Sequence, residues 1–339
     1  MKIQHEFLTI GDFHLEKLAT HFPASHLELQ FSEIEKACDY AVKNGIEHVI
    51  DLGDISDQPH LGEEARVALL EHYLKYDGKF ERHVILGNHD VRDKNTHSLM
   101  TFEQLIKRGK FKSLYIHKDP VQTSFNDITI NYLPFPATNA ISSKYESVNF
   151  AHLSRPGTIA DNGYCDKKNG VPCTDNNIWV IGHLHTKQTQ KRNWWPGTIY
   201  QTNFGEKLPK GFSVFKVTRE GKKLFCTETF FKNDPAFKLI VIKVENEEDL
   251  DKLTNNPLYR YKLKIKNKSV IPLNLNQRFP NIVGNLPVST VKQKNVESKK
   301  EDIVLSPLVS IMKLAKKEGF KKSKRRQLKK IVQSFLERV

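Results

Sequence analysis

VILGNHDVRD, residues Val84–Asp93, is an apolar run that ends in a glycine and then delivers an amide, an imidazole and a carboxylate in succession. Asn, His and Asp all tolerate turns, so a turn alone would account for them. A strand that carries polar groups to the C-terminal edge of a sheet is the other reading, and in open α/β proteins that edge is where a site forms. What separates the two is whether other strands end in the same way.

They do. The apolar run Phe7–Gly11 leads into GDFHL, with Asp12 and His14, and His48–Gly53 leads into GDISD, with Asp54 and Asp57. After His83–Gly87 the GNHD segment supplies Asn88, His89 and Asp90; later NFAHL offers His152 and VIGHLH offers His183 and His185. Between these runs, Leu27–Asn44 has helical apolar spacing at Phe31, Ile34, Ala37, Cys38 and Ala41, and Glu63–Tyr76 reads as a second helix. Strands alternating with amphipathic helices predict βαβ units and a largely parallel sheet. In such a sheet all strand C-termini share one edge, so side chains far apart in sequence converge. Further strands are predicted at Ile128–Leu133, Val148–His152 and Ile178–Gly182, and the alternation between Phe212 and Phe231 predicts an antiparallel pair.

The mixture of ligand types has a chemical use. Two divalent cations roughly 3.5–4 Å apart can clamp the attacking and leaving oxygens of a phosphoryl displacement, given a carboxylate that bridges them. Imidazole blended with oxygen donors suits Mn, Fe or Zn better than Mg or Ca. The array contains neither cysteine nor a Gly-rich phosphate loop, and serine-hydrolase and cysteine-protease signatures are absent.

Composition bounds the rest. The chain has 339 residues, 38% of them apolar, and no apolar run approaches a membrane span. The N-terminal residues MKIQHEFLTI enter a strand pattern without the features of a secretory leader. Cys38, Cys165, Cys173 and Cys226 are widely spaced and read as reduced thiols, which fits a cytoplasmic protein. The formal charge is +14, and Gly284–Val339 alone holds 15 Lys and Arg against 5 Asp and Glu. Such a basic tail suits a phosphate backbone or an acidic partner surface. Three regions are expected: residues 1–232 with the strand-end array, 233–285 as a small α+β module, and 286–339 as a basic linker with helical segments.

D-x-H, GD-x-x-D, GNHD, a lone strand-end His and GH-x-H, in that order, resemble the calcineurin-like metallophosphoesterase superfamily. The following segment Trp195–Glu206, WPGTIYQTNFGE, is similar to the segment after GH-x-H in the SbcD family, the nuclease subunit of bacterial and phage double-strand-break repair complexes. The resemblance implies an α/β fold: a four-layer αββα sandwich with a small α+β capping domain and a helical C-terminal tail. It implies that Asp12, His14, Asp54 and His185 hold one metal, and that Asp54, Asn88, His152 and His183 hold a second, with Asp54 as bridge. Mn²⁺ is the expected ion, with Mg, Fe or Zn as alternatives. His89 would face the scissile phosphate as the catalytic group and Asp90 would orient its ring. Two positions depart from the family pattern: Asp57 stands where some relatives place a histidine, and Ser56 replaces a usual aromatic.

The activity implied is metal-dependent hydrolysis of DNA phosphodiesters by an exonuclease or endonuclease acting in DNA repair, recombination or replication. The implied partners are DNA and an SMC-like ATPase of the SbcC type, with a homodimer also compatible. In Lys324–Arg338, Leu328, Ile331, Val332, Phe335 and Leu336 form one helical stripe at i, i+3, i+4, i+7 and i+8, and Pro307–Glu318 carries a shorter one. The resemblance makes these the partner-binding helices. A stand-alone phosphodiesterase or phosphoprotein phosphatase is the alternative. Arg155 is a candidate phosphate contact, and Trp194 and Trp195 beside Lys191 and Arg192 either touch nucleic acid or pack a strand turn.

Overall fold

The period-two burial of the first strand sets the layering. In β1 (Ile3–Ile10), Phe7 points to one side and Leu8 and Ile10 to the other, and both sides are fully buried. A strand buried on both faces needs a layer on each, and the computed structural model provides them. It describes residues 3–17, 25–137, 141, 145–160, 165, 176–207, 209–234, 236–266, 271–272 and 274–287.

Along the chain, β1 is followed by α1 (Ser25–Asn44), β2 (His48–Asp51), α2 (Glu63–Tyr76) and β3 (Glu81–Ile85). A small hairpin, β4 (Val91–Asp93) and β5 (Thr96–His97), precedes α3 (Met100–Lys107) and β6 (Leu114–His117). Then come β7 (Val121–Phe125), β8 (Ile128–Leu133), β9 (Ser147–His152), β10 (Ile178–Gly182), β11 (Gln188–Gln190) and β12 (Asn193–Trp195). The expected antiparallel pair is β13 (Gly211–Glu220) with β14 (Lys223–Lys232).

Two six-stranded sheets result, ordered β14-β13-β1-β2-β3-β6 and β11-β12-β10-β9-β8-β7. β1, β2, β3 and β6 run parallel in the first sheet, as do β8, β9, β10 and β12 in the second. Phe7, Ile50 and Ile85 from one sheet meet Ile130, Phe150 and Val180 from the other in a core between them. On the outer face of the first sheet, Leu8, Val49 and Val84 pack with Ile34 and Ala37 of α1, Leu69 and Tyr73 of α2, and Phe102 of α3. The outer face of the second sheet buries Leu133, Ala151, Trp179, Ile181 and Trp195. This is the expected sandwich.

Under α2, Arg82 makes a bidentate pair with Asp51 at 2.8 and 3.1 Å and donates from Nη1 to His72 Nε2 at 2.7 Å. Burial, with Arg82 adding to it, lowers the His72 pKa from 6.5 to about 4. The unfolded chain therefore binds this proton first as pH falls. The stability held by neutral His72 is complete above about pH 6.5 and is lost towards pH 4, at up to about 1.4 kcal/mol per pH unit. His72→Gln should flatten the pH dependence of urea-melt stability between pH 6.5 and 4 by about that slope. Identical slopes in wild type and variant would refute the assignment.

Beyond Asn233, β15 (Lys238–Val244), β16 (Tyr259–Ile265) and β17 (Ile282–Pro287) form a three-stranded parallel sheet. A 3₁₀ turn at Glu247–Lys252, closed by a reciprocal Asn246–Asp249 capping box, and the short α4 (Leu275–Arg278) complete the module. It has its own core, including Ile242, Val244, Leu250, Tyr261 and Leu263. At its entry, the Phe237 N–H donates to Glu33 Oε1 at 3.1 Å and the Leu239 N–H to Gln201 Oε1 at 2.9 Å, joining it to the first core. The described residues all lie in one compact unit, within Met1–Ser289. The tail residues Leu328, Ile331, Val332, Phe335 and Leu336 lie outside the described residues. Cys38, Cys165 and Cys226 are free thiols, and Cys173 is outside the described set. No described helix is long and apolar enough to cross a membrane.

Candidate metal centre

The parallel strands of both sheets end at one edge, and each delivers polar side chains there. Asp12 and His14 follow β1, Asp54 follows β2, and Asn88, His89 and Asp90 follow β3; His152 ends β9, and His183 and His185 follow β10. The two sheets approach closely because a glycine precedes a donor at the crossing points. A Cβ on Gly182 would lie 2.1 Å from the Leu52 carbonyl oxygen and 2.9 Å from Asp12 Oδ1. Since the nearer obstacle is backbone, Gly182→Ala must push the sheets apart here. It should cost about 1–3 kcal/mol of stability in urea melts and weaken Mn²⁺ binding in calorimetry. An unchanged Mn²⁺ affinity would show that this crossing does not position the donors.

The array gathers as two groups sharing a carboxylate. Ligand atoms of Asp12, His14 and His185 lie within 4.8 Å of one another, as do those of Asp54, His152 and His183. Asp54 Oδ2 is 3.4 Å from His152 Nε2 and 3.6 Å from His14 Nε2, so it stands between the groups. Asn88 Oδ1 faces His152 Nε2 at 3.0 Å and His183 Nδ1 at 2.9 Å. Asp12 accepts the His183 N–H at 3.0 Å, and its Oδ2 is 3.8 Å from His185 Nε2. Three of these residues hold the left-handed backbone region that side chains rarely adopt: His14 at φ +45°, Asp54 at φ +50° and His183 at φ +86°. Such strain persists where surrounding contacts over-determine it.

The donor set fits cations. His152 Nδ1 is bound to the Leu52 carbonyl at 2.8 Å, and His185 Nδ1 to Glu206 Oε1 at 3.0 Å. Protons on those nitrogens leave both Nε2 lone pairs turned inward. His185 Nε2 then faces His14 Nε2 at 3.0 Å, and His152 Nε2 faces two oxygens, contacts that a shared positive charge satisfies. Burial opposes charge on His152, but Asp54 overrides it and raises the imidazole to about 10. Against the penalty of burial, His152 and His14 hold the Asp54 carboxyl below its usual range. Burial lowers His14 and His183, so these two imidazoles favour their neutral, electron-donating form.

Some supporting contacts were not legible in the sequence, although Asp57, Thr202 and Glu206 lie in the quoted motifs. Glu206, the last residue of the FGE triplet, holds His185; its Oε1 also accepts from Thr202 Oγ1 at 2.6 Å and its Oε2 pairs with Lys210 Nζ at 3.0 Å. Asp57 Oδ1 lies 3.2 Å from His14 Nδ1 and 3.5 Å from Lys17 Nζ. The expected role of Asp90 is corrected. His89 Nδ1 faces the backbone carbonyl of Asp57 at 2.9 Å, whereas Asp90, fully buried, accepts from Ile55 N, Ser56 N, Gly87 N and Ser98 Oγ. Asp90 therefore pins the loops after β2 and β3 and does not touch the His89 ring. Arg155 is also not positioned for a phosphate: it is 2% exposed and its guanidinium stacks on Trp179 at 4.1 Å. Trp195 is fully buried, and Arg192 donates to Glu146 Oε2 and the Leu224 carbonyl, so this turn packs the sheet.

Exonuclease subunit 1 of Enterobacteria phage T4 is 25% identical over 243 residues, 66% of this chain and 68% of that protein. Among solved structures, an archaeal phosphodiesterase aligns at 13% identity and a TM-score of 0.33, covering 67% of this chain and 99% of that one. GAP50, the anchor in the inner membrane complex of Plasmodium, aligns at 11% identity and a TM-score of 0.38, covering 85% and 98%. The calcineurin-like phosphoesterase family matches residues 5–201, a span that contains every strand-end donor from Asp12 to His185, and the chain belongs to that family.

Proposed function

We propose that the chain is a two-metal DNA nuclease, the hydrolytic subunit of an SbcCD-like complex acting in the cytoplasm of a bacterial cell or its phage-infected host. The observation that carries the reading is Asp54 standing between two largely buried donor groups. Asp12, His14, Asp54 and His185 would hold one ion, and Asp54, Asn88, His152 and His183 the other. Mn²⁺ is the proposed metal, since imidazole and oxygen donors alternate around both positions. When bound, such a pair supplies charge for the phosphoryl oxygens and a water that ionises near neutral pH.

The chain's own residues do the rest. His89 donates its backbone N–H to Asp54 Oδ1 at 2.8 Å, which ties the catalytic loop to the bridging carboxylate. With Nδ1 committed to the Asp57 carbonyl, its Nε2 is the atom left to hold a proton for the leaving oxygen or a phosphoryl oxygen. Asp57 and Lys17 steady His14, and Glu206 steadies His185, so the donors need not reorganise.

The similarity to a phage exonuclease subunit supports DNA over a phosphoprotein as substrate, and the basic balance of Gly284–Val339 suits a polyanion or an acidic partner. Purified protein with Mn²⁺ should cleave linear duplex DNA and a small phosphodiester and leave a phosphoprotein intact. Preferred release of phosphate from the phosphoprotein would replace this reading by a phosphatase. The apolar stripe of Leu328, Ile331, Val332, Phe335 and Leu336 would dock on the coiled coil of an SMC-like ATPase of the SbcC type. Truncation after Asn295 should leave cleavage of the small phosphodiester intact while abolishing co-purification with the ATPase, and Phe335→Glu should do the same. A truncated chain that still co-purifies would move the interface elsewhere.

A further inference from the structure

A strand's length from the candidate metal centre, the N-terminal ends of the strands gather a second set of histidines. His48 opens β2 and pairs with Glu81, which opens β3, and His83 lies two residues further on the same face of β3. His48 Nδ1 is 3.4 Å from Glu81 Oε2, and His83 Nε2 is 3.5 Å from the same oxygen. The three ligand atoms all lie within 4.8 Å of one another.

Neither nitrogen is otherwise satisfied. His48 is 4% exposed and His83 5%, and His48 Nδ1 and His83 Nε2 are both buried without a hydrogen bond. Buried polar atoms without partners are costly, and two aimed at one carboxylate oxygen call for a common partner. Their spacing suits one. With metal–ligand bonds of about 2.0–2.2 Å, tetrahedral neighbours sit roughly 3.3–3.6 Å apart. The side chain of Glu81 is 43% exposed, so the group opens to solvent on that side, giving an ion an entry path and a water.

The rings are also held in place. His83 Nδ1 lies 3.1 Å from His117 Nε2, and with the proton on Nδ1 the Nε2 lone pair is free toward Glu81. The His83 ring stacks on Tyr132 at 4.5 Å and on Tyr115 at 4.9 Å, and His48 packs on Phe125 at 4.0 Å. We propose that His48, Glu81 and His83 form a separate metal site for one borderline divalent ion of the zinc class, fastening the start of β2 to the start of β3. Two imidazoles and one carboxylate select such an ion over Mg²⁺ or Ca²⁺. The site shares no residue with the strand-end array, so it stands whether or not that array hydrolyses DNA.

The test uses the full chain stripped with a chelator, loaded with Zn²⁺ and freed of excess ion. Elemental analysis should find one zinc fewer per chain in Glu81→Gln and in His83→Gln than in wild type. Glu81→Gln, at an exposed position, should keep the wild-type fold by circular dichroism and its Mn²⁺-dependent cleavage of a small phosphodiester. Anomalous scattering at the zinc edge from wild-type crystals should give a peak between His48 and His83. Equal zinc content in wild type and both variants, or zinc peaks confined to the strand-end array, would overturn the proposal.

Discussion

Asp54→Ala is expected to lose Mn²⁺ at both positions and to bring hydrolysis of a small phosphodiester down to background, with the fold retained. The expectation rests on reach: Oδ2 of this one carboxylate is 3.6 Å from His14 Nε2 and 3.4 Å from His152 Nε2. Its Oδ1 accepts the His89 N–H at 2.8 Å, so the same change also frees the loop that carries His89. Without the carboxylate, neither group keeps enough negative charge to offset desolvation of a divalent ion. The sandwich should survive because the surrounding strands are held by their own ladders and by the apolar clusters on both faces. Residue 54 sits at φ +50°, where Asn is tolerated about as well as Asp, so Asp54→Asn removes charge without adding backbone cost. Calorimetric titration with Mn²⁺ is the check, and two intact sites in either variant would end the bridging assignment.

The strand-end array was readable because its members follow strands directly, where the parallel topology alone decides which edge they reach. The rhythm of strands and helices did not say that two sheets share the task. β1, β2 and β3 bring Asp12, His14, Asp54 and Asn88 from one sheet, while β9 and β10 bring His152, His183 and His185 from the other. Their meeting depends on Gly182 admitting the Leu52 carbonyl, a packing relation with no local sequence signature. Backbone groups were hidden for the same reason: GD-x-x-D offers Asp57 as a side chain, whereas it is the Asp57 carbonyl that faces His89. The resemblance implied that Asp90 orients the His89 ring, whereas its side chain turns to the N–H groups of the neighbouring loop. Glu206 had a signal in the FGE triplet, but its bond to His185 spans a loop that periodicity does not predict. His48, Glu81 and His83 passed as ordinary strand residues because only sheet register unites them.

His89→Ala and Asn88→Ala should separate a catalytic group from a metal donor one residue apart. Asn88 places Oδ1 at 3.0 Å from His152 Nε2 and 2.9 Å from His183 Nδ1, inside one donor group. Removing it should weaken one Mn²⁺ and leave the other, with activity recoverable at high metal concentration. His89 reaches the bridging carboxylate only through its backbone N–H, which alanine keeps. Its ring stands edge-on to His14 with centroids 4.8 Å apart and is anchored by the Asp57 carbonyl, so truncation should remove the proposed proton-handling group without removing a proposed metal donor. His89→Ala should therefore bind two Mn²⁺ and hydrolyse about 10²–10⁴-fold more slowly, the usual worth of a positioned acid or base. Added Mn²⁺ should not restore that rate. A leaving group of low basicity needs less protonation, so the deficit should shrink with an activated aryl phosphodiester if His89 protonates the leaving oxygen. A deficit independent of the leaving group would instead assign His89 to the charge on the phosphoryl oxygens. Loss of a metal in His89→Ala, matching Asn88→Ala, would mean that the imidazole is itself a ligand and that the two residues do the same work.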